Sequence, residues 1–293
     1  MGAANVIPGV SGGTIAFITG IYEDFIKSLK AFDTTALKLL LQFKVSELAK
    51  HVNLAFLAVL MSGIIVSLFT LGKLLDYLFI EFPIYVWSFF FGLIAISVLS
   101  VGKTITKWNG PIIAWGIVGT LLAVALATMT PATENSNILY LIVCGIVAIA
   151  SMILPGLSGS FVLILMGNYQ LIMLQAIPNL NFSIILPVAL GGVLGFVLLS
   201  HVISFLLNKF HDVTISTLTG FIFGSLIVIW PWKEAFFLTD NSGMEILKNG
   251  KKIIQGYNWN LPEISMQTLL AIFCLGMGIV VVLIIEKLAS TNK

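Results

Sequence analysis

The chain has 293 residues, 58% of them hydrophobic and only 10% charged. Soluble domains carry about 25% charged residues, so a surface facing water is excluded for most of this chain. The formal net charge is +2 and all 15 basic residues are lysines; nothing points to nucleic acid, and an anion must be held by lysines, hydroxyls or backbone N–H groups rather than by a guanidinium fork.

In chain order, the first element is an apolar stretch, Ala3–Tyr22, interrupted by IPGVSGG at Ile7–Gly13. Glu23 and Asp24 close it. A polar loop, Asp24–Val52, then carries Lys27, Lys30, Lys38, Lys44 and Lys50. Three apolar runs follow at Leu54–Leu75, Pro83–Gly102 and Gly110–Met129, each long enough to cross a bilayer as a helix. Ile138–Leu154 and Phe161–Ile177 flank a second heptapeptide, LPGLSGS, at Leu154–Ser160. Three more spans are predicted at Ser183–Leu207, Val213–Trp230 and Met266–Ile285, with a loop of mixed charge, Trp230–Glu263, between the last two. The apolar runs are continuous rather than alternating, which disfavours a β-barrel. Met1 leads into small and apolar residues with no basic flank, so no secretory signal is read. Cys144 and Cys274 lie inside apolar runs and imply no disulfide framework.

The two heptapeptides stand 147 positions apart, and the match extends past them. Gly20 falls on Gly167 and Tyr22 on Tyr169. Downstream, Gly63 aligns with Gly192, and SFFFGL (Ser88–Leu93) with GFIFGSL (Gly220–Leu226). Two halves are therefore predicted, 1–137 and 138–293, each with a motif hairpin or broken helix and three transmembrane helices. The second heptapeptide follows an apolar helix, whereas six residues precede the first; a short N-terminal piece is expected before Met1. Counting lysines orients the halves. With Asp24–Val52 inside, Lys103, Lys107, Lys209, Lys287 and Lys293 also fall inside, the C-terminus is cytoplasmic, and the halves are inverted. The fold class expected is thus an all-α polytopic membrane protein built from two inverted repeats.

Proline ends or starts a helix, and glycine lets other groups approach the backbone. Ser11, Thr14, Ser158 and Ser160 can cap a helix that restarts at each break. In lipid, non-helical backbone survives only where protein or a wet cavity covers it. The start of each half-helix offers N–H groups and a partial positive charge, an anion site that needs no arginine. The candidate binding residues are Asn5, Pro8, Gly9, Ser11, Gly12, Gly13 and Thr14 in the first copy, with Pro155, Gly156, Ser158, Gly159 and Ser160 in the second. The bland alternative is that Gly and Pro only allow close helix packing.

The stretch GAANVIPGVSGGTIAFITGIYE (Gly2–Glu23), the second copy LPGLSGS and the later GFIFGSLIVIWPWK (Gly220–Lys233) resemble the PopT-type polyprenyl-phosphate translocases. The resemblance covers essentially the whole chain. It implies return of undecaprenyl phosphate from the outer to the cytoplasmic leaflet of the bacterial cytoplasmic membrane, with that lipid and the bilayer as partners. Many members carry a basic residue shortly after the Gly-Ser-Leu of the second half, where this chain has Ile227 and Val228. Lys233 or another lysine must then substitute, or the backbone site suffices.

No cofactor or metal is needed to write this chemistry, and a homo-oligomer stays open. Glu23 is a candidate proton acceptor for coupling, against the reading that it marks the interface. His201, within LLSHVISFLL, is a candidate relay, against a neutral ring bonded to a helix carbonyl. An enzyme is disfavoured, since no P-loop, HExxH or carboxylate cluster is present. A carrier or channel for small anions is the competing function. What separates the two is whether the site opens sideways to lipid or only to water.

Overall fold

The computed structural model describes the chain except for residues 3–11, 130–131, 157, 178, 238–246, 249–250, 253 and 292–293. Helix dominates because hydrocarbon offers no partner for a backbone N–H or C=O, and the helix satisfies both locally. The elements run α1 (Gly12–Ile18), α2 (Tyr22–Lys30), α3 (Thr34–Leu41), α4 (Val45–His51), α5 (Leu54–Glu81), α6 (Pro83–Gly102), α7 (Gly110–Thr128), α8 (Ile138–Ile153) and α9 (Gly159–Leu165). A π-helical arm, Gln170–Ala176, comes next, then α10 (Phe182–Lys209), α11 (His211–Ser225), four strands and α12 (Met266–Thr291). Pro83–Gly102, Gly110–Thr128, Phe182–Lys209 and Met266–Lys287 are each long and apolar enough to cross a bilayer. A fifth candidate joins α4 to Leu54–Ser67, bent by 71°. This is a multi-pass, mostly helical membrane protein.

Two expectations need correction. The span read at Val213–Trp230 is a 15-residue helix, α11, about 22 Å long. It stops in tight turns, with Val228 N–H donating to Ser225 O and Ile229 N–H to Leu226 O, just before Pro231. The loop Trp230–Glu263 also departs from an all-α chain. Within it β1 (Lys233–Phe237) pairs antiparallel with β4 (Ile254–Trp259), and β2 (Leu247–Lys248) with β3 (Lys251–Lys252). Aromatic residues such as Phe236, Phe237 and Tyr257 suit a pleated ribbon.

The segments that follow the two heptapeptides fold alike. Helix α1 and helix α9 have seven residues each, about 10 Å of length, too short to cross a bilayer. Each then reverses at a glycine in the left-handed region, Gly20 (φ 71°) and Gly167 (φ 72°). The caps match bond for bond. Gly20 N–H donates to Phe17 O and Ile21 N–H to Ala16 O; Gly167 N–H donates to Ile164 O and Asn168 N–H to Leu163 O. This paired 5→2 and 6→1 arrangement is the Schellman cap, which favours glycine because a Cβ resists positive φ. The second turn is pinned further by buried Asn168, whose amide donates to Asn135 O (2.7 Å) and accepts from Asn135 N–H (2.9 Å).

The long helices also recur. α5 and α10 have 28 residues each. Both end on a phenylalanine of nearly equal dihedrals, Phe82 (φ −134°, ψ 46°) and Phe210 (φ −134°, ψ 49°). The next helix starts at once, at Pro83 and at His211. These bounds set Gly63 against Gly191 and Gly92 against Gly220, one and four positions from the match made on sequence; four positions is about one helical turn, so the same face is presented. The crossings are reciprocal. α6 packs on α12 and α11 packs on α7. A Cβ on Gly92 would run into the carbonyl oxygen of Leu275, and one on Gly278 into that of Phe89. Likewise Gly220 abuts the carbonyl of Gly116, and Gly119 that of Thr217. Small residues let backbones meet in this way where no hydrophobic drive between helices exists.

Candidate functional site

The described candidate residues of the two copies meet at the turn between α8 and α9. Pro155 and Gly156 form a buried turn between α8 and α9, with Gly156 at φ +87°. A Cβ there would stand 3.0 Å from Phe221 O, so this turn rests directly on α11. Ser158 is the N-cap of α9: its hydroxyl accepts from Phe161 N–H at 3.2 Å and lies 3.3 Å from Ser160 Oγ. Gly159 is buried against Ala148 and Met152 of α8.

From the first copy, Gly12, Gly13 and Thr14 are buried at the start of α1. Asn5, Pro8, Gly9 and Ser11 lie outside the described residues. Thr14 reaches across to the other copy, where its hydroxyl accepts from Gly156 N–H at 3.1 Å. Tyr22, stacked on Phe17 with ring centroids 3.9 Å apart, donates a long bond of 3.4 Å to Ile153 O. These two bonds pair buried polar groups that the second break would otherwise leave to hydrocarbon. The sequence reading missed both, because no local signal connects Thr14 to a residue more than 140 positions away.

Beside Ser158 and Ser160 lies a cavity of about 690 Å³. Apart from the two serines it is lined by apolar side chains and glycines, among them Met152, Leu163, Ile172, Ala189 and Val193. Val193 stands 11 residues into α10, about 16 Å along it, and its side chain is 62% exposed. The cavity is therefore open at this rim, partway along a helix long and apolar enough to cross a bilayer. Phe32, in the link between α2 and α3, covers part of it and meets Phe196 edge-on at 6.2 Å.

The proposed proton groups are not together. His201 Nδ1–H donates to Val197 O at 2.8 Å, a ring bonded to its own helix. Glu23 is half exposed, 3.5 Å from Lys27 Nζ and 3.7 Å from His211 Nε2. Asp212, next to His211, accepts from the Thr106 hydroxyl, from His211 and from the backbone of Thr106 and Lys107. Those bonds, the Thr106 hydroxyl first, hold its carboxyl down at about 2. Among the described residues no group of histidines, cysteines and carboxylates could hold a metal ion.

The family described as "VCA0040-like: Undecaprenyl phosphate translocase-like" matches residues 1–246. The chain belongs to that family. It is also 38% identical over 291 residues to a "Polyprenyl-phosphate transporter" of Vibrio cholerae serotype O1, covering 99% of this chain and 94% of that protein. A second "Polyprenyl-phosphate transporter", of Staphylococcus aureus, is 29% identical over 248 residues, covering 79% of this chain and 83% of that one. No solved structure matches the chain. Within this translocase-like family, the positions after Gly224, Ser225 and Leu226 were expected to be basic, and here they are Ile227 and Val228. Lys233, one of the lysines expected to substitute, has its ammonium donating to Val228 O and lying 4.0 Å from the Trp87 ring centroid. Burial pushes that ammonium down to about 8, and the aromatic face offsets part of the lost hydration.

Proposed function

We propose that this protein moves undecaprenyl phosphate, or a closely related polyprenyl phosphate, from the outer to the cytoplasmic leaflet of the bacterial cytoplasmic membrane, recycling the lipid carrier of the cell envelope. The observation that carries the reading is the cavity beside the second break. It joins two hydroxyls to an apolar space open towards hydrocarbon, which suits an amphiphile with a small polar head and a long tail. A small hydrated anion gains nothing from such walls. The relatives named above as polyprenyl-phosphate transporters support the same substrate.

The chain acts as two repeats, 1–137 and 138–293, inserted with opposite orientation. The breaks meet near the midplane, and the phosphate is held between them by donors of Gly12, Gly13, Thr14, Ser158, Gly159 and Ser160, with Ser11 and Asn5 completing the first copy. Pro8 and Gly9, like Pro155 and Gly156, keep the backbone out of helix so that these donors face the headgroup. Most of the tail stays in lipid while the head passes, so only the head and the part of the tail next to it need shelter. Rocking of one repeat against the other then exposes the site to each leaflet in turn. Glu23, beside His211, is the acceptor through which proton coupling would run, while the His201 Nδ1–H is committed to the Val197 carbonyl. No chemical bond changes, so the protein is a carrier and not an enzyme.

The test is Ser11→Ala combined with Ser158→Ala in protein reconstituted into liposomes, with its melting temperature followed in parallel. Transport of polyprenyl phosphate should fall at least tenfold. Loss of the Ser158 cap costs about 1 kcal/mol, so the fold survives. Full transport by a folded double variant would contradict the hydroxyl role.

A further inference from the structure

We infer that the cavity is a binding seat for the isoprenoid tail next to the phosphate, walled mainly by the second half and opened by Ala148, Ala189 and Val193. The inference rests on the proposed substrate and adds a tail site to it.

Matched positions in the two halves differ in size. Aligned by their equal lengths and matching ends, α5 and α10 set Met61 against Ala189 and Ile65 against Val193. The Schellman turns set Met1 against Ala148. Each methionine carries a three-atom chain beyond Cβ that alanine lacks, and isoleucine has one more methylene group than valine. The second half is therefore the smaller at three positions that surround its cavity. Other positions cancel. Ile64 with Gly2 merely exchanges places with Gly192 and Ile149: a Cβ on Gly2 would stand 2.7 Å from Ile64 O, and one on Gly192 3.1 Å from Ile149 Cγ1. In the hairpin arms Leu163 replaces Ala16 while Ile172 replaces Phe25.

A second difference enlarges the same space. The arm after Gly167 is π-helical, whereas its counterpart α2 is α-helical. The wider π turn brings Ile172, Met173 and Ile177 to the cavity wall; π segments cluster at functional sites. The occupant must be apolar, flexible and tethered to a group that hydroxyls can hold. An isoprenoid chain ending in phosphate meets all three conditions, with Ser158 and Ser160 at the polar end of the space. Volumes of this size lie within the range of ordinary ligand pockets, about 300–1,000 Å³, so the seat takes the first isoprene units and leaves the rest in lipid.

The test uses Ala189→Met, which installs the first half's residue, with Met61→Ala as its mirror. Ala189 is exposed on a lipid-facing groove, so the longer side chain does not obstruct folding. Val193→Phe at the rim is the second variant should Ala189→Met fail to elute as a single species. The probes are undecaprenyl phosphate for transport in liposomes and a photoactivatable farnesol, which has a tail and no phosphate, for labelling. Ala189→Met is expected to slow transport by about tenfold and to abolish farnesol labelling of α10, while Met61→Ala changes neither. Unchanged transport and labelling in Ala189→Met, or labelling around Met61 as strong as around Ala189, would overturn the tail site. Failure of the wild type to move undecaprenyl phosphate would instead remove the proposed substrate. In that case farnesol labelling blocked by Ala189→Met still upholds an isoprenoid seat.

Discussion

Thr14 links the start of α1 to the second break through one hydroxyl. Its side chain is fully buried and accepts from Gly156 N–H, so Thr14→Val strands a buried donor at a cost of about 1–3 kcal/mol. Thr14→Ser keeps the oxygen and should recover most of the loss. Thermal unfolding of the two variants side by side separates hydrogen bonding from packing. Ser158 was legible in advance, because a serine ahead of a restarting helix has a standard use as a cap. Thr14 was legible only in part: its type marked a polar site, but its partner depends on how distant segments dock.

Lys233 makes a different prediction at the same scale. Its ammonium is pushed down to about 8 by burial, from an ordinary value of 10.5. The unfolded chain therefore holds that proton up to higher pH than the folded one. Stability contributed at this residue rises as pH climbs through 8 towards 10.5, because the unfolded state binds more protons there. Lys233→Met should remove that rise, and it should leave melting at pH 10 closer to wild type than melting at pH 7. A wild-type melting temperature with the same pH slope as the variant would contradict burial of the cation. The sequence could not reveal this, since a lysine after Trp230 and Trp232 reads equally well as a solvated interface residue.

At the scale of elements, the reciprocal glycine crossings are the firmest feature. Gly92 and Gly220 each place a backbone against a neighbouring carbonyl where a Cβ has no room. Gly92→Ala and Gly220→Ala should each destabilise by about 1–3 kcal/mol through overpacking, and by similar amounts. Gly63 is the control: nothing lies within 4 Å of a Cβ there, and Ala in a helix interior stabilises by about 0.5–1 kcal/mol. Melting curves for the three variants check both statements. Helix existence was readable from the unbroken apolar runs. Their pairing was not, because α6 chooses α12 and α7 chooses α11 by backbone fit, which leaves no periodic trace. The end of α11 at Ser225 was missed for a related reason, as hydropathy continues unbroken through Ile229 while the backbone tightens ahead of Pro231. The ribbon of β1 and β4 was hidden by the same loop's mixture of charge and aromatic residues.

Across the whole molecule, the short helices α1 and α9, the turns at Gly20 and Gly167 and the long helices α5 and α10 correspond between the two halves. The heptapeptides exposed that pattern in the sequence because helix-breaking residues are costly in lipid and recur only with a purpose. The cavity was not exposed, since it arises from differences in side-chain size between the copies, and a small residue in an apolar run carries no label of its own. Under the proposed function these features serve a site for a charged head that is reached from lipid rather than from water.

The most direct measurement of that claim follows labelled undecaprenyl phosphate between the leaflets of liposomes containing the purified protein, with inorganic phosphate and chloride fluxes measured alongside. The account predicts movement of the lipid, loss of that movement when Pro155→Ala and Gly156→Leu straighten the second break, and no flux of either small anion. Flux of phosphate or chloride without movement of the lipid would contradict it and identify a small-anion carrier.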